Sequence, residues 1–242
     1  MSERITKAVL LAAGRGTRMR ELTNDLPKPM IEVRGKPVLQ HIIEGLRAAG
    51  VRDFLLIVGY RAEVVRERFG DGRALGVKIE YATQLVQDGT GKVVELARNF
   101  VGRDSFILSY GDILVDARNY FRLTNLRAET EAIISVKRNE DVSQGGAVFL
   151  NEQLELVDLR EKPKSGEPTS PWYNAGLYAF RPSIFAFTAR LERSPRGEFE
   201  LTDAIRALAQ SGKRVQALEL HGEWADVRDP EILAALNQTY TR

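Results

Sequence analysis

The chain predicts an α/β fold, a three-layer α/β/α body around a mixed, mainly parallel central sheet. Three observations carry this expectation. Short apolar runs alternate with helix-length segments through the first half of the chain. The first of these runs ends abruptly on a glycine-rich turn, and in the second half apolar runs follow one another without helices between them. Strands separated by helices pair in parallel through right-handed crossovers, whereas strands joined directly pair antiparallel.

Residues 9–13 form the first expected strand, stopped by Gly14. Residues 37–49 carry Val38, Leu39, Ile42, Ile43 and Leu46 at helical spacing and stop at Gly50. A buried strand is expected over 54–60, a helix over 61–69, an alternating strand over 77–82 and a helix over 91–100. Residues 105–112 are apolar and close on Gly111 and Asp112. Strands follow over 131–136, 146–150, 154–159 and 176–180, with loops over 161–171 and 193–199. A helix over 200–212, a strand over 215–220 and a helix over 230–240 complete the chain. There is no internal repeat or low-complexity tail, and the whole of 1–242 reads as a single domain.

Composition excludes several functions. The 242 residues contain 35 Lys and Arg against 33 Asp and Glu, so the net charge of +2 gives no basic coating for nucleic acid. The absence of cysteine rules out disulfides, Cys-ligated zinc and thiol catalysis. The opening apolar run is too short for a signal peptide, and no segment is long enough to cross a membrane. A soluble, cytoplasmic protein is expected. Its oligomeric state is open, a homo-oligomer included.

The stretch "VLLAAGRGTRMRELTNDLPKPM" carries the first chemical signal. Gly14 and Gly16 let the backbone pass close to a ligand, because neither has a β-carbon in the way. Converging backbone N–H groups, with Arg15, Arg18, Arg20 and Lys28 nearby, suit a polyanion, most simply nucleotide phosphates. Named phosphate motifs fail: Met19 stands where a dinucleotide fingerprint needs a small residue, and no Gly-Lys-Ser/Thr is present. Pro27 and Pro29 constrain the backbone around Lys28, which argues for a placed ammonium over a solvated one.

The motifs "LAAGRGTRM", "LPKPM", "ATQ" followed by "DGTGK", "YGD", "EKP", "YNAGLYAF", "GEFELTD" and "WADV" occur in the order seen in sugar-1-phosphate nucleotidyltransferases, the nucleotide-sugar pyrophosphorylases. The chain resembles this family over essentially its whole length. The resemblance implies a Rossmann-like nucleotidyltransferase fold. It also implies a Mg²⁺-dependent reaction that joins a nucleoside triphosphate to a sugar 1-phosphate and releases pyrophosphate.

It further implies roles for particular residues. Leu11, Ala12, Ala13 and Gly14 would line the base and ribose, with Gly14, Arg15, Gly16, Thr17 and Arg18 around the triphosphate. Arg18 would hold the departing pyrophosphate, and Lys28 the α-phosphate region. Gln84 and Gly89 would read the base edge with Thr90 beside them, and Asp112 and Asp226 would bind Mg²⁺. Gly146, Glu161, Lys162, Asn174 and Gly176 would hold the sugar phosphate. Arg18, Lys28, Asp112, Lys162 and Asp226 would form the catalytic set.

Some motifs are similar to N-acetylglucosamine-1-phosphate uridylyltransferases and others to glucose-1-phosphate thymidylyl- and uridylyltransferases. The Ala12–Ala13 pair before Gly14 resembles pyrimidine users, so UTP or dTTP is favoured. Lys92 departs from both patterns, and its ammonium leaves the sugar open. No hexapeptide repeats follow, which argues against acyltransferase activity. Two alternatives stand: a cytidylyltransferase using CTP, and a non-catalytic domain that binds a nucleotide-sugar.

Overall fold

A computed structural model of the chain describes residues 2–16, Met19 and residues 22–238. Thr17, Arg18, Arg20 and the last residues of the closing helix expected over 230–240 lie outside the described residues.

Elements form nearly where hydrophobic periodicity puts them. β1 (Lys7–Ala12), α1 (Val38–Ala48), β2 (Asp53–Val58), α2 (Ala62–Phe69) and β3 (Lys78–Thr83) come first. α3 (Thr90–Glu95), β4 (Phe106–Tyr110), β5 (Ile113–Val115), β6 (Ala132–Arg138) and β7 (Gly146–Leu150) follow. β8 (Leu156–Glu161), β9 (Trp172–Phe180), α4 (Leu201–Gln210), β10 (Val215–Glu219), β11 (Trp224–Asp226) and α5 (Pro230–Gln238) complete the main elements. α1 buries Val38, Leu39, Ile42, Ile43 and Leu46, the stripe its spacing singles out. The helix expected over 91–100 is instead broken. The amides of Leu96 and Ala97 bond three residues back, which tightens the turn, and a short helix restarts at Arg98–Val101.

The chain divides into two compact units, each gathered from separate segments. The first comprises Thr6–Leu85, Leu108–Thr124 and the chain from His221 on. Here β1, β2 and β3 run parallel, with Ala12 opposite Val58 and Val58 opposite Thr83. Their carboxyl ends therefore lie along one edge, where ligands of open α/β sheets bind. The end of β4 reaches the same edge, since the Gly111 amide donates to the Leu11 carbonyl at 2.9 Å. A Cβ on Gly111 would lie 2.7 Å from that carbonyl oxygen, so only glycine permits the approach.

β5 and β11 form a small antiparallel pair that sets Asp226 opposite Ile113. The buried Asn119 side chain secures its far end. Its amide donates to the Asp116 and His221 carbonyls, and its oxygen accepts from the His221 N–H. The His221 backbone is thus used structurally. His41 is also a packing residue, its ring bonded to the Val33 carbonyl at 2.8 Å.

The second unit comprises the chain up to Ile5, Val86–Ile107 and Asn125–Leu220. β8, β7 and β9 are antiparallel neighbours; β9 also pairs antiparallel with β6, and β6 pairs parallel with β10. α4 packs on β8 through Leu201, Ala204, Ile205 and Leu208. Phe106, Tyr178, Phe180 and Phe185 form an aromatic core with ring centroids 5.4–5.8 Å apart. The mixed pairing read from the sequence thus holds, parallel early in the chain and largely antiparallel later.

Candidate active site

The glycine loop leaves β1 at the carboxyl edge of the first unit. Gly14 is exposed, and among the described residues no atom lies within 4 Å of where its Cβ would stand. Among the described residues, packing does not demand glycine there. Gly16 differs: its φ is +70°, and a Cβ would lie 2.7 Å from Lys28 Cβ. Glycine at 16 therefore lets the loop rest on the stem of Lys28. Arg15 is exposed, its guanidinium 5.1 Å from the centre of the Tyr60 ring. Ala12 and Ala13 are buried, and the Ala13 carbonyl accepts from the Tyr60 amide at 3.3 Å.

Lys28 opens a single helical turn, Lys28–Met30, with Pro27 and Pro29 on either side. Its side chain is only 14% exposed. The ammonium bonds a carboxylate oxygen of Asp112 and, at 3.3 Å, one of Asp226, residues 84 and 198 positions away in the chain. The β5–β11 register explains the meeting: Asp226 faces Ile113, and the Val227 amide donates to the Asp112 carbonyl at 3.0 Å. Burial works against the Lys28 charge, but the two carboxylates outweigh it and raise its pKa above the ordinary lysine value. Burial, and then the charge of Asp112, hold the Asp226 carboxyl above the usual carboxylate range despite Lys28 and Arg228.

Gln84 follows β3, its amide donating to the Val58 carbonyl at 2.8 Å, so it too stands at the carboxyl edge. Leu11, Ala12, Ala13, Gly14, Arg15, Gly16, Lys28, Gln84, Asp112 and Asp226 therefore all belong to the first unit.

The second unit gathers another set. Gly146 on β7 faces Glu161 on β8, and a Cβ on Gly146 would lie 3.0 Å from Asn174 Cβ on β9. The Asn174 amide and the Tyr178 hydroxyl bond each other at 2.8–3.0 Å. Gly176 sits at φ +79° where the β6–β9 register slips between Ile134 and Val136, a bulge that re-aims neighbouring side chains. Lys162 is held at φ +44°, which a non-glycine residue adopts at a cost. Its amide donates to the Gly145 carbonyl.

Arg196 is a residue to which the sequence reading gave no role. Its guanidinium lies 3.1 Å from Glu200 and 3.7 Å from Glu161, which adds a cation to the set around Lys162. The signal was present in "RGEFELTD", but an arginine in a polar loop reads as solvated. Burial and the Glu200 charge raise the Glu161 pKa above the ordinary range, against Lys162 and Arg196.

Gly89 and Thr90 also belong to the second unit. Gly89, at φ +115°, lies against the Phe199 backbone, and the Thr90 hydroxyl oxygen accepts from the Leu201 amide at the start of α4. Lys92 sets its ammonium 4.9 Å from the centre of the Phe199 ring. Trp172 is buried under Arg138, 3.9 Å from its ring centre, and Trp224 is a strand residue of β11.

A family model described as nucleotidyl transferase matches residues 7–242. The chain belongs to that family. It is 38% identical over 231 residues to the bifunctional protein GlmU of Methanococcus maripaludis, covering 95% of this chain and 53% of that protein. It is 34% identical to the UTP–glucose-1-phosphate uridylyltransferase AglF of Haloferax volcanii, covering 93% of this chain and 92% of that one. The crystal structure of a UDP-glucose pyrophosphorylase complexed with UDP-glucose matches with a TM-score of 0.85 at 22% identity, covering 98% of both chains. That likeness shows the nucleotidyltransferase fold expected from the sequence, a mixed sheet with flanking helices. The chain spans about half the length of the GlmU relatives it matches. Among the described residues, no helix is long and apolar enough to cross a membrane.

Proposed function

We propose that this chain is a sugar-1-phosphate nucleotidyltransferase. It transfers a nucleotidyl group from UTP or dTTP to glucose 1-phosphate or a related hexose 1-phosphate and releases pyrophosphate. The observation that carries the reading is the meeting of Lys28 with Asp112 and Asp226, since one cation and two carboxylates match the needs of phosphoryl chemistry. The names of the relatives support the substrate classes. The family match over residues 7–242 supports reading the two units as one nucleotidyltransferase domain. Metabolite substrates of this class favour the cytoplasm.

In this reading the residues of the first unit serve the nucleotide, as do Gly89 and Thr90 of the second, whose other site residues serve the sugar phosphate. A phosphate oxygen of the sugar phosphate, already anionic, attacks the α-phosphorus without a general base. The new O–P bond forms as the bond to the β-phosphate breaks, and pyrophosphate leaves with the electron pair. The chain supplies alignment of two like-charged reactants and positive charge for the crowded phosphate oxygens. Gly14 and Gly16 give the triphosphate backbone access, and Lys28 takes the α-phosphate region. Arg18 holds the pyrophosphate on the strength of the family resemblance. Lys162 and Arg196 hold the sugar phosphate, with Gly146, Glu161, Asn174 and Gly176 around the sugar.

Mg²⁺ fits the residues present. Asp112 and Asp226 already present two hard carboxylate oxygens to one cation, the Lys28 ammonium. Mg²⁺ commonly takes one or two carboxylates and completes its shell with water and phosphate oxygens. When bound there, it supplies positive charge for the phosphate oxygens.

The test is pyrophosphate release from a panel of nucleoside triphosphates against sugar 1-phosphates, with Mg²⁺. Release is expected with UTP or dTTP and a hexose 1-phosphate. Silence across the whole panel would overturn the proposal, and release confined to CTP would move the chain to the cytidylyltransferases.

A further inference from the structure

We infer that the Lys28 ammonium and a divalent cation compete for the same carboxylate pair, Asp112 and Asp226, and that a triphosphate opens the pair by drawing Lys28 away. The inference rests on the proposed function for the identity of the triphosphate, but not for the competition itself.

The ammonium has three N–H donors, and the two carboxylates accept from it. A divalent cation on those oxygens would sit at roughly 2.0–2.1 Å from them. The space between the carboxylates is thus claimed by two cations that repel each other and seek the same oxygens. The backbones that carry the two carboxylates are held together. Asp226 is set opposite Ile113 by the β5–β11 ladder, and the Val227 amide is bonded to the Asp112 carbonyl.

The lysine has a second destination within reach. Its Cβ, Cγ and Cδ lie 2.7, 3.0 and 3.2 Å from the position a Cβ would take on Gly16. The stem is therefore laid along the glycine loop while the ammonium points to the carboxylates. Pro27 and Pro29 restrain the backbone beneath it, so rotation of the outer side-chain bonds suffices to move the charge. Phosphate oxygens on the glycine loop would offer the ammonium new acceptors. The carboxylates, losing the Lys28 charge, would then attract the metal more strongly. By linkage, triphosphate and metal favour each other's binding through this lysine, in addition to their direct attraction in solution.

The deciding measurement is Mn²⁺ binding to the protein alone, without nucleotide or sugar phosphate, followed by electron paramagnetic resonance. Lys28→Met is expected to bind Mn²⁺ at least tenfold more tightly than the unmodified protein, and Lys28→Arg, which keeps the charge, close to it. Equal or weaker binding by folded Lys28→Met would overturn the competition. A second measurement needs no variant. Saturating Mg²⁺ should increase acylation of Lys28 by an amine-reactive reagent severalfold, while exposed Lys78 stays unchanged. Unchanged labelling of Lys28 would count equally against the inference. Neither readout involves turnover, so a failed substrate panel leaves the competition standing, and a failed competition leaves the transferase reading standing.

Discussion

Lys162 is tied to Gly145 by its own backbone: the Lys162 amide, on a residue at φ +44°, donates to the Gly145 carbonyl. A side chain forced into the left-handed region costs about 1–3 kcal/mol, and such strain collects at functional positions. Glycine there would relieve the strain but lose about 0.5–1 kcal/mol to the unfolded chain's extra freedom. Lys162→Gly is therefore expected to gain about 1 kcal/mol in stability, or about 2–4 °C in Tm for a chain of this size. Lys162→Ala keeps the strain and should gain nothing. Both should raise the KM for sugar phosphate more than that for the nucleotide. Thermal unfolding and steady-state kinetics on the two variants check the pattern, and equal KM effects would refute the assignment of Lys162 to the sugar phosphate.

Glu161 gives a pH signature. Its pKa is raised in the folded chain, first by burial and then by Glu200. Between the ordinary value of 4.5 and the higher folded value, the folded state holds a proton that the unfolded state has released. Stability from this group is therefore complete below 4.5 and is lost as pH rises through the folded pKa. Glu161→Gln should be more stable than the unmodified protein at neutral pH, with the gap closing under acid conditions. Urea midpoints measured across pH decide this, and a gap that widens on acidification contradicts it.

Two neighbouring glycines should differ in what they tolerate. A Cβ on Gly89 would overlap the Phe199 carbonyl oxygen and lie 2.5 Å from its nitrogen, and φ is +115°. Backbone cannot swing aside, so Gly89→Ala should destabilise by more than about 1 kcal/mol. At Gly91 the nearest obstacle is the tip of Leu191, a flexible side chain, with the Phe199 carbonyl oxygen next at 3.0 Å, and the residue lies in the first turn of α3. Alanine's better helix propensity, about 0.8–1 kcal/mol over glycine, offsets part of the crowding there. Denaturant midpoints should rank Gly89→Ala well below Gly91→Ala.

These contrasts show what was legible in the sequence. The long elements were, because burial writes a period into α1 and an apolar run into β2. The glycine loop and the lysine between prolines also announced themselves, since Gly and Pro alter the backbone locally. β5 and β11 were not foreseen, because strands of three residues have no period to read. Yet their pairing brings Asp226 to Asp112 and Lys28, so the role of Asp226 came from family resemblance alone. Arg196 escaped for a related reason: its partners Glu161 and Glu200 are assembled by the fold, and a charged loop carries no trace of them.

Base choice follows from the carboxyl edge of the first unit. Gln84 begins just beyond β3, and its side-chain amide offers one donor group and one acceptor. That amide can turn over to meet either pyrimidine edge. The backbone groups of Ala12 and Ala13 cannot exchange donor for acceptor, so they fix which edge fits. In the proposed reading, a backbone carbonyl of this pair meets the N–H of a uracil or thymine imide. Cytosine presents a bare ring nitrogen at that position and would leave a buried polar group unpaired, at a cost of about 1–3 kcal/mol. UTP or dTTP should therefore bind about tenfold or more tightly than CTP, and purine nucleotides, which need a wider pocket, more weakly still. Replacing Gln84 with Ala should weaken UTP and CTP alike and leave the gap between them largely unchanged. Calorimetric titration of the Mg²⁺-loaded protein with each triphosphate checks both expectations. Tighter binding of CTP, ATP or GTP than of UTP and dTTP would remove the imide reading and leave family membership untouched.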